Sequence, residues 1–263
     1  MSIKITFGNF KGGVGKTTTS AIMAFLLQEK GYKVLVVDFD PSRDCTKTLC
    51  KTFKYDLSQY VSVFEAMSVF DLSKAVVSLS PNLDILPSGR DLADFSELLR
   101  DVTKGKPNPK VLRNFFLQKL VQRIESDYDF IIIDVPPTES DLSNNALFAS
   151  DYIIPIMQTE INSFEQTEDY LLHINKLNTL FPENQFSVLG IVCYLESKRS
   201  TTDKKIVKKA EAKFEDLVFK THVFKSDRVK RFADGISKVD YHDKRTLKVY
   251  ENLLEEILKK VGK

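Results

Sequence analysis

Apolar runs alternate with helical segments along the chain, and this alternation predicts the fold. Six short runs rich in Val, Ile and Leu predict strands: Ile3–Phe7, Val34–Val37, Leu83–Leu86, Phe130–Ile133, Tyr152–Ile156 and Val188–Tyr194. Because most of these runs are apolar throughout, we expect parallel strands that are covered on both faces. The pattern therefore predicts an α/β fold with a twisted, mostly parallel β-sheet and helices on both faces.

The segments between the runs show helical spacing at both ends of the chain. Thr17–Lys30 predicts a helix that Gly31 stops. Arg245–Val261 carries an apolar stripe, which predicts a last helix docked on the sheet. Asp101–Pro109, with two prolines and two lysines, predicts an exposed loop. We expect a single domain over residues 1–263, whose C-terminal part from about 198 carries this docking helix.

Composition narrows the class of protein. The chain has 263 residues, of which 43% are hydrophobic, enough for one sizeable core. Its three cysteines and three histidines are sparse and lack metal-ligand spacing, so we expect neither disulfides nor a zinc site. No apolar stretch approaches the roughly 20 residues of a membrane span. We therefore expect a soluble, cytoplasmic protein.

Charge is segregated along the chain, although the net charge is only +2. Lys198–Arg231 holds twelve Lys or Arg against five Asp or Glu, a local charge of +7. Asp129–Tyr170 holds nine acids and no Lys or Arg. This separation permits one basic and one acidic face.

A glycine-rich stretch lies between the first predicted strand and the first predicted helix. It ends in Gly-Lys-Thr like a phosphate loop, with Phe10 where that pattern has its first glycine. Glycines let backbone N–H groups surround phosphates, the helix directs its positive end at them, and Lys16 reaches the terminal oxygens. The stretch therefore predicts a nucleoside triphosphate site. Its residues are Lys11, Gly12, Gly13, Val14, Gly15, Lys16, Thr17 and Thr18.

Two aspartates directly follow predicted strands. Asp38 comes after Val34–Val37, and Asp134 comes after Phe130–Ile133. Since the carboxyl ends of parallel strands meet at one edge of the sheet, both carboxylates are expected near the loop. Mg²⁺ prefers oxygen ligands, so Thr17, Asp38 and Asp134 are the predicted metal-binding residues.

The segments KGGVGKTTT, VVDFDPS and FIIIDVPP resemble the deviant phosphate-loop ATPases of the ParA/MinD family. The resemblance implies a P-loop NTPase fold, ATP and Mg²⁺ as ligands, and a homodimer that closes around two ATP molecules. In that family the first lysine of the loop reaches the partner's nucleotide, and here this role falls on Lys11. A solvated loop charge remains the alternative for Lys11.

The resemblance also implies roles for the acids. Asp40 would orient the attacking water, Asp38 would lie near the metal, and Asp134 would hold Mg²⁺ through water. The expected catalytic residues are then Lys11, Lys16 and Asp40, in a weak ATPase that a partner stimulates. The family usually continues with Gln-Gly-Asn where this chain has Ser42-Arg43-Asp44, which leaves the contacts of that segment open.

Within the family, length and motifs are most similar to the small ParA-type partition ATPases. That similarity implies plasmid or chromosome partition, nucleoid association, binding of the ATP dimer to non-specific DNA, and a centromere-binding ParB-like partner. The cations expected to contact DNA are Lys198, Arg199, Lys225, Arg228, Lys230 and Arg231. The lysines over 204–213 could add to this surface, with the polar face of an amphipathic helix as the alternative.

Two further interpretations stay open. A MinD-like membrane-surface positioning ATPase would use the last helix as an interfacial anchor, but its mixed charge favours docking. The acidic stretch Asp129–Tyr170 would either receive a partner's basic tail or form a solvated face.

Overall fold

The computed structural model describes residues 2–184, 186–197 and 199–263. These residues form nine strands: β1 (Ile3–Gly8), β2 (Val34–Asp38), β3 (Val77–Ser80), β4 (Leu83–Leu86), β5 (Phe130–Asp134), β6 (Tyr152–Gln158), β7 (Ser187–Val188), β8 (Val192–Glu196) and β9 (Val223–Phe224). The same residues form eleven α-helices: α1 (Lys16–Glu29), α2 (Asp44–Phe53), α3 (Val63–Ser68), α4 (Phe95–Thr103), α5 (Pro109–Asn114), α6 (Phe116–Val121), α7 (Asp141–Ala149), α8 (Ile161–Leu180), α9 (Thr201–Phe214), α10 (Asp227–Arg231) and α11 (Tyr241–Lys260).

The strands form one mostly parallel sheet. Its order is β3-β4-β2-β5-β1-β6-β8-β9, with β7 also paired to β6. Only the pairing of β3 with β4 is antiparallel among the described strands. The predicted fold class is therefore confirmed.

Both faces of the sheet are buried, as the uninterrupted apolar runs predict. In β5, Phe130 and Ile132 join one core cluster with α1 and α11. Ile131 and Ile133 point the other way and pack with α3, α4, α6 and α7. All four side chains are fully buried. Alternate residues of one strand thus hold helices on opposite faces, and the strand ends are left free to carry polar groups.

The last helix docks on the core as predicted. Its apolar positions are buried in the cluster that contains α1: Leu247, Tyr250, Leu253, Leu254, Ile257 and Leu258. None of the helices that the structure describes is long and apolar enough to cross a membrane.

The sequence prediction was wrong in three places. Val188–Tyr194 is not one strand but parts of β7 and β8, and between them Gly190 passes so close to Phe219 that a Cβ there would lie 2.6 Å from its ring. Asp101–Pro109 is a loop only in its middle, since α4 continues to Thr103 and a proline begins α5. The short outer strands β3 and β9 were not predicted.

Candidate functional site

The glycine-rich stretch forms a loop between β1 and α1, at the edge of the sheet where the parallel strands end. We call this the carboxyl edge. Gly15 is the N-cap of α1, with φ of 98°, and no side chain caps the helix. No acidic residue lies in the first turn. The amide groups that begin α1 therefore face the loop without an anionic partner of their own, which suits a bound phosphate.

Lys16 is held within this loop. Its side chain is only 5% exposed, and Nζ donates to the carbonyl oxygen of Lys11 at 3.0 Å. Burial lowers the pKa of Lys16 to about 8, although the nearby carboxylates of Asp134 and Asp40 act in the opposite direction. An anion bound in the loop would favour the charged form of this ammonium group, which fits the predicted contact between Lys16 and the terminal phosphate oxygens.

Lys11 points to a different partner. Its backbone N–H donates to the side chain of Asn9 at 3.0 Å, and Asn9 is fixed in turn by Ile156 and Thr167. Its ammonium group forms an ion pair with Glu160 at 2.6 Å, at the start of α8. Lys11, the first lysine of the loop, thus pairs with Glu160 rather than with the buried aspartates. It lies toward the more exposed side of the site.

Asp38 and Asp134 lie side by side, as predicted, because they occupy paired positions at the ends of β2 and β5. Both are fully buried. Burial and the neighbouring charge of Asp38 raise the pKa of Asp134 to about 8. Burial also raises the pKa of Asp38 to about 6, although hydrogen bonds from Thr46 act against it. Two adjacent buried carboxyl groups whose pKa values are raised in this way fit a site that receives a cation, because a cation would favour their charged forms.

The two carboxylates differ in what remains unpaired. Oδ2 of Asp38 accepts hydrogen bonds from the backbone and hydroxyl of Thr46, at 2.8 and 2.6 Å. Oδ1 of Asp134 accepts one from Ser20 at 3.0 Å, whereas its Oδ2 is buried with no partner among the described residues. The described residues contain no group of three or more His, Cys, Asp and Glu side chains that would enclose a metal ion. The unpaired oxygen of Asp134 and the hydroxyl of Thr17 fit Mg²⁺, which binds through few carboxylates when phosphates complete its shell.

Asp40 lies at the open side of this pair. Its Oδ1 accepts from the backbone of Ser42 at 2.9 Å, and its carbonyl oxygen accepts from Ser88 at 2.7 Å. The segment that departs from the family pattern continues through Arg43, which has a φ of 61°, into α2. These contacts hold Asp40 partly exposed and close enough to Lys16 to influence its pKa.

Several supporting residues were not predicted. Ser20 and Thr46 hold the two aspartates, Ser88 holds the segment around Asp40, and Gln158 donates to the carbonyl oxygen of Gly13 at 2.9 Å. Only Gln158 has a sequence signal, because it ends β6 at the same carboxyl edge. The others are single hydroxyl groups without a pattern.

The predicted DNA-contacting cations are distributed over the C-terminal third. Lys198 lies outside the described residues. Arg199, Lys225, Lys230 and Arg231 are exposed. Arg228 differs, because its guanidinium group pairs with Asp240 at 2.5 Å and Asp243 at 3.2 Å. We call residues 225–231 the basic segment.

The predicted amphipathic helix over the lysines of 204–213 is present as α9. In α9, Ile206, Val207 and Ala210 are buried, while the lysines between them are exposed. Lys209 lies over the ring of Phe164, with Nζ 4.1 Å from its centroid. The amphipathic helix is confirmed, and this lysine serves partly as cover for an aromatic side chain.

Known proteins are similar to this chain in both sequence and fold. A family model described as an AAA domain matches residues 2–187. The sporulation initiation inhibitor protein Soj of Bacillus subtilis is 30% identical over 258 residues, which cover 96% of this chain and 97% of Soj. A candidate plasmid partition protein from Borrelia burgdorferi, solved with AMPPNP, is 25% identical with a TM-score of 0.79, over 99% of this chain and 100% of that one. A cobyrinic acid a,c-diamide synthase from Mycobacterium smegmatis, solved with an ATP analogue and magnesium, has the same fold at 24% identity and a TM-score of 0.81, over 98% and 95%.

Proposed function

Because the chain belongs to the ParA/MinD-type family of ATPases, we propose that it is an ATP-driven switch in plasmid or chromosome partition. In this proposal it binds ATP with Mg²⁺ at the carboxyl edge and dimerises around the nucleotide. The dimer binds DNA without sequence preference, and hydrolysis releases it. The observation that carries the proposal is the pairing, at one edge, of an uncapped helix N-terminus with the unpaired Oδ2 of Asp134.

The chemistry at this edge is electrostatic. Bound Mg²⁺ would neutralise charge on the phosphates, with Thr17 as a ligand, Asp134 holding the ion through water and Asp38 beside it. Lys16 would stabilise negative charge that grows on the phosphate oxygens, and its burial makes this interaction stronger than in water. Asp40 would orient water for attack, since it is the partly exposed carboxylate of the group.

Lys11 supplies the link between nucleotide and dimer in this proposal. Its ammonium group is already directed outward, toward Glu160, whose side chain is 64% exposed. An ion pair this exposed contributes only about 0–1 kcal/mol, so a partner's phosphates would displace Glu160 readily. The ion pair therefore does not oppose a role for Lys11 in the partner's site.

Sedimentation with ATP and Mg²⁺ tests this role. We expect Lys11→Ala to stay monomeric at concentrations at which the wild type dimerises. Glu160→Gln is the matched control, because it removes the same ion pair and leaves the lysine; it should dimerise at least as well as the wild type. If Lys11→Ala dimerises like the wild type, the proposed role of Lys11 is wrong.

DNA binding is proposed for the exposed cations Arg199, Lys225, Lys230 and Arg231. Phosphate contacts by such side chains release counterions, so affinity should fall steeply with salt. A dimer doubles the number of contacts, which would make binding depend on ATP. DNA titrations with ATP, ADP and no nucleotide test the proposal, and equal affinity in all three states would contradict it.

The partner and the cellular location that we propose are those that the similarity to ParA-type partition ATPases implies. We propose a centromere-binding, ParB-like partner whose basic tail stimulates weak hydrolysis, and association with the nucleoid through DNA. Exposed acids at Glu160, Glu165 and Asp169 support such a docking surface. The alternative of membrane positioning requires a free apolar helix face, whereas the apolar stripe of α11 from Leu247 to Leu258 packs in the core.

A further inference from the structure

A buried pair of tyrosines lies behind the phosphate loop. The hydroxyl oxygens of Tyr194, in β8, and Tyr250, in α11, are 2.8 Å apart. The two residues are 1% and 0% exposed. Burial raises the pKa of Tyr194 to about 12 and that of Tyr250 well above its ordinary value. Both phenols therefore keep their protons at physiological pH, and one can always donate to the other.

The front of this pair contacts the loop directly. A Cβ atom built on Gly15 would lie 2.2 Å from a ring carbon of Tyr194, so the backbone of Gly15 rests on the ring. Thr19, in the first turn of α1, lies beside both phenols. Its hydroxyl is buried and makes no hydrogen bond within the described part of the chain. Either phenol can be the donor in the hydrogen bond between the two tyrosines, and Thr19 lies within reach of both, so this group of hydroxyls has more than one arrangement.

The rear of the pair continues along α11. Tyr250 lies two helical turns after Asp243 on the same face, about 10 Å along the axis. Asp243 is 7% exposed and accepts a hydrogen bond from Arg228 at 3.2 Å. Asp240, the N-cap of α11, accepts one from the same guanidinium group at 2.5 Å. Arg228 belongs to α10, and Lys230 and Arg231 follow it in that helix.

We propose that these contacts couple the phosphate loop to the basic segment, through Tyr194, Tyr250, the first turns of α11 and Arg228. The inference rests on the proposed function in that it gives the basic segment DNA as its ligand. Arg228 is then a positioning residue rather than a DNA contact. It holds α10 on α11 and so sets where Lys230 and Arg231 lie.

Packing makes such coupling mechanical. Gly15 contacts an aromatic ring that is itself enclosed by the main core, which also contains Val229 of the basic segment. Closely packed interiors transmit displacements because they have little free volume to absorb them. The buried hydroxyls add a discrete choice of partners, and coupling between sites requires an element with alternative states of this kind. Nucleotide binding would select one arrangement by fixing the backbone at Gly15.

Hydrogen exchange measured by mass spectrometry tests the coupling without DNA. In the wild type, AMPPNP with Mg²⁺ should slow amide exchange over residues 226–247 by at least about threefold. Tyr250→Phe should lose most of this slowing while its nucleotide affinity stays within about threefold of the wild type. Tyr128→Phe is the matched control, because it also removes a buried phenol hydroxyl. That hydroxyl donates to Asp84 at 2.9 Å and does not contact the loop. The control variant should respond like the wild type.

A DNA titration completes the test. Typical coupling between two ligand sites changes affinity by about 5–150-fold. We expect the ratio of DNA affinity with AMPPNP to that without nucleotide to fall by about tenfold in both Tyr250→Phe and Arg228→Gln. Arg228→Gln changes only the surface residue of the proposed series of contacts. It therefore tests the coupling even if Tyr250→Phe does not fold.

The outcomes separate the two proposals. If Tyr250→Phe and Arg228→Gln both keep the wild-type exchange response, the coupling is overturned. An exchange response that is absent from the wild type overturns it as well. If the wild type shows the response and Tyr250→Phe loses it, but DNA binding never depends on nucleotide, the coupling stands and the proposed function fails.

Discussion

The carboxyl edge and the basic segment use charge in opposite ways. At the edge, Lys16, Asp38 and Asp134 are all less than a tenth exposed, and neighbouring side chains fix their positions. In the basic segment, Lys225, Lys230 and Arg231 extend into solvent. Buried charges favour one ligand of matching shape and charge, whereas exposed cations accept any polyanion. The first region thus suits one defined ligand, and the second suits the DNA of any sequence that the proposed function requires.

The largest expected effect comes from removing the buried cation of the edge. We expect Lys16→Ala to lower the rate of ATP hydrolysis by at least about 100-fold, because the variant lacks a preorganised buried donor to the phosphates. Phosphate release measures this rate. Lys119→Ala, which removes an exposed lysine of α6, is the control. If Lys16→Ala hydrolyses ATP at the wild-type rate, the buried charge of the carboxyl edge does not have the role that distinguishes it from the exposed charges of the basic segment.

The second effect concerns the stability of the ligand-free protein. The carboxyl of Asp134 keeps its proton up to about pH 8 when folded and loses it near its ordinary pKa of 3.8 when unfolded. The folded state therefore binds more protons between these values, and the free energy of unfolding should fall as pH rises through this window. We expect Asp134→Asn to reduce this fall and to raise stability by about 1–3 kcal/mol at about pH 8.

Denaturant titrations at about pH 5 and about pH 8 measure this dependence. Asp101→Asn, which changes an exposed residue of α4, should keep the wild-type change in unfolding free energy between these two pH values. If Asp134→Asn shows the wild-type dependence of unfolding free energy on pH, the raised pKa of Asp134 is not its cause.

The smallest effect is expected in the basic segment. Lys230→Gln combined with Arg231→Gln should weaken DNA binding about tenfold or less, because each cation is one of many that face the DNA. The slope of log affinity against log salt should fall by about 0.9 for each phosphate that the variant no longer neutralises. Lys104→Gln combined with Lys106→Gln removes two exposed charges elsewhere and should leave the slope unchanged. An unchanged slope in the first pair would place the DNA surface outside the basic segment.

The main parts of the fold were predictable because β2 and β5 are apolar on both faces and end in aspartate. The break between β7 and β8 was not predictable, since the close approach of Phe219 to Gly190 exists only in the folded chain. β9 has two residues, too few for a pattern. A prediction from local patterns fails where a distant residue determines the local geometry.

The same limit applies to the candidate site. Lys16, Asp38 and Asp134 come from motifs, but the hydroxyl groups of Thr46 and Ser20, which bind the aspartates, belong to no motif. Arg228 appeared equivalent to its neighbours in the sequence. Its ion pairs involve Asp240 and Asp243, on the following helix, and only the folded chain brings these charges together.

The outer strands of the sheet have a consequence for how copies of this protein meet. At one edge β3 has four residues and is antiparallel, and at the other β9 has two. Edge strands this short offer few unpaired backbone groups to another chain. Copies are thus poorly suited to joining strand to strand into a continuous sheet.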